Sequence, residues 1–284
     1  MTARAIAALE TQRLLRSPGI WLAALGFSTV LAGGVSIPYL TGIEADAATG
    51  SAFLLGPAVD LLLPLIAILL TFGAIAGHRA AGSIHVFFSA PITRRGVLTG
   101  VLFSRILVLW MIVAVGMLVG VGTTVLLYGV PPIMPVVQFT VLTLVGAAVF
   151  VSVGVGVSAL TASPIRALTT LIGGFIVVYA LLEPLLHGVS AATMGSSEDV
   201  SRSVDHALLV SPLESYGRIA HGILPPTPHL DVAVDGSDAT AETGALVGGE
   251  IATVDLFTAI GMLLAWASVL LVIGWVRFER AEID

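Results

Sequence analysis

The chain has 284 residues, 57% hydrophobic and 11% charged, with a mean hydropathy of +1.04 and a net charge of −6. So few charges do not cover a water-soluble surface, and the composition is that of an integral membrane protein. Cysteine, lysine and asparagine are absent, which excludes disulfides, thiolate-held metals, N-glycosylation and any phosphate loop that needs lysine, and the shortage of positive charge argues against a nucleic-acid partner. Acids and alanine in excess without lysine are also a high-salt, halophilic composition.

In chain order, six apolar stretches reach the roughly 20 residues that a helix needs to cross about 30 Å of hydrocarbon. They cover about 19–40, 53–77, 97–128, 136–161, 168–187 and 255–276. Their continuity, without alternation at period two, predicts helices rather than a barrel. The first stretch reads as a retained signal-anchor, because Glu10 interrupts its leader and its apolar run is too long for a cleaved signal, although Ala45-Asp46-Ala47 fits a small-residue cleavage pattern. With the N-terminus in the cytoplasm, ten of the twelve arginines fall inside and only Arg202 and Arg218 fall outside, as the positive-inside rule requires. Six spans then return the C-terminus to the cytoplasm. Four acids lie inside and fourteen outside, and no internal repeat points to an inverted-repeat carrier. The expected fold is an all-α, multi-pass protein of the cell membrane, a single transmembrane domain.

Asp60 falls in the second stretch between Pro57 and Pro64. An ionisable group in a span is a functional hypothesis, here proton coupling or substrate contact; a hydrated carboxylate near the outer surface is the plainer reading and carries more weight. Glu183-Pro184, at the outer end of the fifth stretch, is a second candidate polar position with the same two readings. The outer loop, 188–254, is long and acidic. Within it Ser211-Pro212-Leu213-Glu214 reads as a helix start with a capping box. Leu213, Tyr216, Ala220 and Ile223 then share one face, Glu214 and Arg218 pair at i,i+4, and Pro225-Pro226 ends the helix. Outer histidines His187, His206, His221 and His229 lack metal-ligand spacing, and Asp231, Asp235 and Asp238 lack a calcium-loop pattern, so no metal and no cofactor is expected.

An intramembrane protease finds no support. Gly34-Val35-Ser36-Ile37 and Gly156-Val157-Ser158-Ala159 both lack the final glycine of G-x-S-G, and Asp60 has no second membrane aspartate. If ATP drives this protein, another subunit hydrolyses it. The most informative segment is 78–96, between the second and third stretches. Gly82-Ser83 can turn the chain, Ile84 to Ser89 can form a short amphipathic helix, and Pro91 ends it before Arg94 and Arg95. On physical grounds such an element anchors to lipid headgroups or docks in a partner's groove; the residues alone do not choose.

Gly82-Ser83, Ser89-Ala90-Pro91, Arg94-Arg95 and Val97-Leu98-Thr99-Gly100 resemble the segment after the second span in ABC transporter permeases of the type-2 exporter class, in particular those similar to the permease of the nitrous-oxide reductase maturation (copper-processing) cluster. The leader, with Glu10, Arg13 and Arg16, resembles that family's amphipathic elbow helix, although Arg4, Glu10 and Arg13 do not segregate cleanly from Ile6, Leu9 and Leu14. Ser211-Pro212 before Tyr216 resembles its outer Asn-Pro segment. The chain departs from the pattern at His78, where the family has glutamate, at Ser83 for threonine, and at Val101 for lysine. The resemblance implies a permease without catalysis of its own, working as a pair, a homodimer being the expectation, over two ATPase subunits. Gly82, Ser83, Phe87, Pro91, Arg94 and Arg95 would belong to a coupling helix that fits the ATPase. The alternatives are a proton- or ion-coupled carrier using Asp60, and a membrane scaffold without transport.

Overall fold

The computed structural model describes residues 3–55, 57–80, 94–161, 163–182, 184–186, 189, 211–223 and 253–280. Among these, all regular structure is helical. Helix α1 (Ala3–Leu15) leads into α2 (Pro18–Thr41), short α3 (Ala47–Ala52) and a 3-10 turn at Phe53–Leu55. There follow α4 (Pro57–Thr71), α5 (Ala76–Ala80), α6 (Arg94–Tyr128), α7 (Ile133–Leu160), α8 (Pro164–Ile176) with a π turn at Val177–Leu181, α9 (Pro212–Ile223) and α10 (Thr253–Arg280). Six helices are long and apolar enough to cross a membrane, namely α2, α4 with α5, α6, α7, α8 with its π turn, and α10.

Helix ends depart from the apolar stretches, notably ahead of the second and fifth crossings. Ahead of the second crossing Phe53–Leu55 form a 3-10 turn, and the helix of the crossing itself begins at Pro57. Before it, Asp46 caps α3 by accepting the Thr49 N–H at 2.8 Å, so the cleavage-like Ala45-Asp46-Ala47 is a helix start. The helix of the fifth crossing starts earlier, at Pro164 behind Ser163, because proline is well suited to a first helical turn.

The second crossing is the most enclosed, 61% buried, and the fifth the least, 11%. Helix α4 therefore lies inside the bundle, against α2, α6, α7 and α8, while Ile165, Ile176, Val177 and Leu181 are exposed. The most extensive pairing is α7 on α10. Its cause is a meeting of two glycines: a Cβ on Gly274 would lie 2.8 Å from the Gly156 carbonyl oxygen, and one on Gly156 2.6 Å from that of Leu270. In hydrocarbon, where no hydrophobic effect drives helices together, such close backbone approach supplies the packing.

Two helices carry a hydroxyl from a neighbour in their backbone ladder. Pro38 lies inside α2 and has no N–H. Next to it the Tyr128 hydroxyl donates to the Val35 carbonyl at 2.9 Å and accepts the Tyr39 N–H at 3.0 Å. The second case is a break between α4 and α5. Ser158 Oγ, from α7, accepts the N–H groups of Ile75 at 3.1 Å and Ala76 at 3.2 Å and donates to the Phe72 carbonyl at 3.0 Å. Ala74 N–H turns to Thr71 O and Gly77 N–H to Gly73 O, so most of the backbone groups freed by the break find partners within protein, as a non-helical backbone at membrane depth requires.

Candidate functional site

At the end of the bundle that carries both chain termini, α1 lies along α6. Ile6 is buried at this contact, and Gly100 makes room for it: a Cβ on Gly100 would come 2.8 Å from Ile6 Cβ and 2.9 Å from Ala3 O. The other inward residue of α1 is Glu10, whose side chain is 7% exposed. The inward stripe of the elbow is thus part apolar and part acidic, which is why its polar and apolar residues do not separate cleanly in sequence.

Glu10 has a basic partner on each of three sides. Its Oε2 accepts from Arg105 Nη2 at 3.3 Å, and its Oε1 stands 3.7 Å from His78 Nε2 and 3.7 Å from Arg13 Nη1. The polar contact with His78, with the positive charges of Arg105 and Arg13, holds the Glu10 carboxyl below its ordinary range despite the burial that opposes it. His78 precedes residues 81–93 and Arg105 follows them, so one carboxylate ties the elbow to both arms of that segment. His78 stands where the resembling family has glutamate, and here it faces a glutamate. Val101, which replaces the family lysine, is fully buried.

Of the expected coupling residues, Gly82, Ser83, Phe87 and Pro91 lie outside the described residues, as does the side chain of Arg94, whose backbone opens α6. Arg95 is placed with its guanidinium 5.2 Å from the centre of the Trp275 ring on α10, a cation–π contact between the third and sixth crossings. Arg13 and Arg16 are exposed. Sequence reasoning missed Arg105 and His78 as partners of Glu10. The signal available was an arginine eleven residues inside an apolar helix, a place where charge persists only when paired.

At the opposite end, α9 forms as expected. Ser211 Oγ accepts the Glu214 N–H at 3.1 Å, and Arg218 Nε pairs with Glu214 Oε1 at 3.0 Å. Tyr216 and Ala220 are fully buried, and Leu213 and Ile223 are partly buried on the same side. The Tyr216 ring meets Phe150 edge-on at 6.3 Å and rests on Gly146, and its hydroxyl bonds Thr143 at 2.9 Å. Burial raises its phenol well above the ordinary range, so it is a neutral anchor. Asp60, in the first turn of α4, is partly buried: Oδ1 is enclosed, and among the described residues no donor reaches it. It is close enough to feel the charge of Glu214. Glu183, His187, His206, His229 and the acidic run 231–250 lie outside the described residues.

Six helices long and apolar enough to cross a membrane define a multi-pass membrane protein, and the sequence pattern of the ABC-2 family transporter protein matches residues 4–283. The chain belongs to that family and is a multi-pass membrane protein of ABC transport. No curated protein sequence matches it.

Proposed function

We propose that the chain is the permease subunit of an ATP-driven exporter, that its termini and the 78–96 segment face the cytoplasm, and that this segment receives the motion of a separate ATPase. The observation that carries this reading is the Glu10 brace. A segment whose two arms, at His78 and Arg105, are tied to one carboxylate on α1 passes a push into the helices behind it. Gly82, Ser83, Phe87, Pro91 and Arg94 would meet the ATPase, with Arg95 at the rim. Hydrolysis of ATP falls to the partner, because a chain without lysine does not build the usual phosphate loop. Two permeases, as a homodimer, would sit over two ATPase copies. The motif 78–105 supports placement near the nitrous-oxide reductase maturation group.

The test is co-purification of the solubilised chain with a candidate ATPase, followed by reconstitution. Phe87→Ala and Arg94→Glu are expected to weaken association and abolish stimulation of ATP hydrolysis; normal association and stimulation in both variants would sink the reading. Arg95 is a poorer choice, since its reversal also removes the contact with Trp275.

A second reading is favoured by the enclosed Oδ1 of Asp60, which has no hydrogen-bond partner among the described residues and suits a proton- or ion-coupled step. Loss of transport in Asp60→Asn with ATPase stimulation intact would support it, and normal transport in that variant would dismiss it.

A further inference from the structure

We infer that Ser158 is a positioning residue for coupling: its hydroxyl pins a joint in the second crossing and carries movement of the 81–93 segment into α7. The proposal rests on the coupling reading above and adds the route. Ile75 and Ala76, which donate to Ser158 Oγ, lie just before His78 and the segment, so the joint stands between the segment and the enclosed helix α4.

The hydroxyl is fully used. It offers one donor and two acceptor positions, and Phe72 O, Ile75 N–H and Ala76 N–H occupy all three. Other serines in the crossings behave differently: Ser28, Ser36, Ser152 and Ser268 bond the carbonyl four residues back in their own helix. Ser158 turns to a neighbouring helix and stands between Phe72 O and Ala76 N–H, the two groups that pair directly in an unbroken helix. Two arrangements of the second crossing therefore satisfy the same backbone groups. In one the hydroxyl is lodged in the break; in the other it is withdrawn and the ladder closes through Ala76 to Phe72 and Ile75 to Thr71. A structural element with two such arrangements is what a switching transition needs.

The surroundings favour a pivot. Thr71 fills the place that a side chain on Gly154 would need, which holds the end of α4 on α7, whereas nothing stands within 4 Å of a Cβ on Gly73 or Gly77. Beyond the pin, α7 meets α10 at Gly156 and Gly274. A push on the segment thus reaches the fourth and sixth crossings through Ser158.

Because the chain has no cysteine, spin labels can be attached at Ala80→Cys and Phe103→Cys, both exposed, and their separation measured in lipid nanodiscs, without and with the ATPase and ATP. Ser158→Ala is expected to shift the separation by several ångströms without the ATPase, and to lower substrate moved per ATP hydrolysed at least tenfold. Ser152→Ala removes a buried hydroxyl from the same helix and is expected to change neither. Gly73→Ala, whose methyl has open space and which favours a continuous helix, is expected to shift the separation in the same direction, and it decides the matter should Ser158→Ala fail to fold. An unchanged separation in Ser158→Ala, or in Gly73→Ala where Ser158→Ala does not fold, overturns the joint. A shifted separation with unaltered transport per ATP overturns the role in coupling. Failure of the ATPase to associate at all defeats the coupling reading instead, and the separation in the permease alone still decides the joint.

Discussion

Glu10 illustrates how a charge becomes tolerable where water is scarce. Its carboxylate is held by Arg105, His78 and Arg13, and removing one member of a buried pair leaves the others uncompensated. Glu10→Ala is expected to destabilise the protein by about 3 kcal/mol, read as a lower denaturant midpoint in detergent. The dependence on pH has a definite sign. The Glu10 carboxyl lies below its ordinary value of 4.5 in the folded protein, so its contribution is complete above that value and is lost as pH falls through the depressed one. The difference in stability between wild type and Glu10→Gln should shrink as pH falls below about 4.5. Tyr128 acts through one atom. Tyr128→Phe removes the hydroxyl that serves Val35 O and Tyr39 N–H, and should lower stability by about 1 kcal/mol, with the ring still against Gly50.

Among the helices, glycine positions set which elements touch. Gly100→Val would press on Ile6 and the Ala3 carbonyl and should displace α1 from α6 at about 1–3 kcal/mol, seen as faster proteolysis of the elbow with α6 intact. The crossings and α9 were legible because their signals are local: apolar length for the former, and for the latter a serine, a proline and a glutamate at fixed spacing. The break between α4 and α5 was not legible. Phe72, Gly73, Ala74 and Ile75 are apolar and continue the run, and the group that opens the ladder comes from Ser158, more than eighty residues away. Likewise α3, Ala47–Ala52, was not read as a helix, because six small residues between two apolar stretches do not announce that Asp46 caps them. The elbow was read from family likeness; its physical cause, a carboxylate with partners on other elements, needs the fold.

Among the described residues the charge is polarised, most arginines lying at one end of the bundle and most acids at the other, with Glu10 at the arginine end and Arg218 at the acidic end. The described arginines Arg13, Arg16, Arg95 and Arg105 belong to the end with the termini, and Asp46, Asp60 and Glu214 to the end with α3 and α9. An orientation follows that can be checked in the cysteine-free background. A membrane-impermeant thiol reagent applied to intact cells should label Glu44→Cys and leave Arg16→Cys unlabelled until the membrane is opened; the reverse pattern would invert the topology.

The Glu10 cluster also bears on the order in which the protein is made. Synthesis delivers α1 first, yet His78 and Arg105 arrive 68 and 95 residues later. Until the second and third crossings have entered the bilayer, the elbow has no basic group outside its own helix at the place it will occupy and must wait at the surface with its carboxylate in water. Its docking is therefore a late event in biogenesis, and it reports that three crossings have been inserted in the right direction.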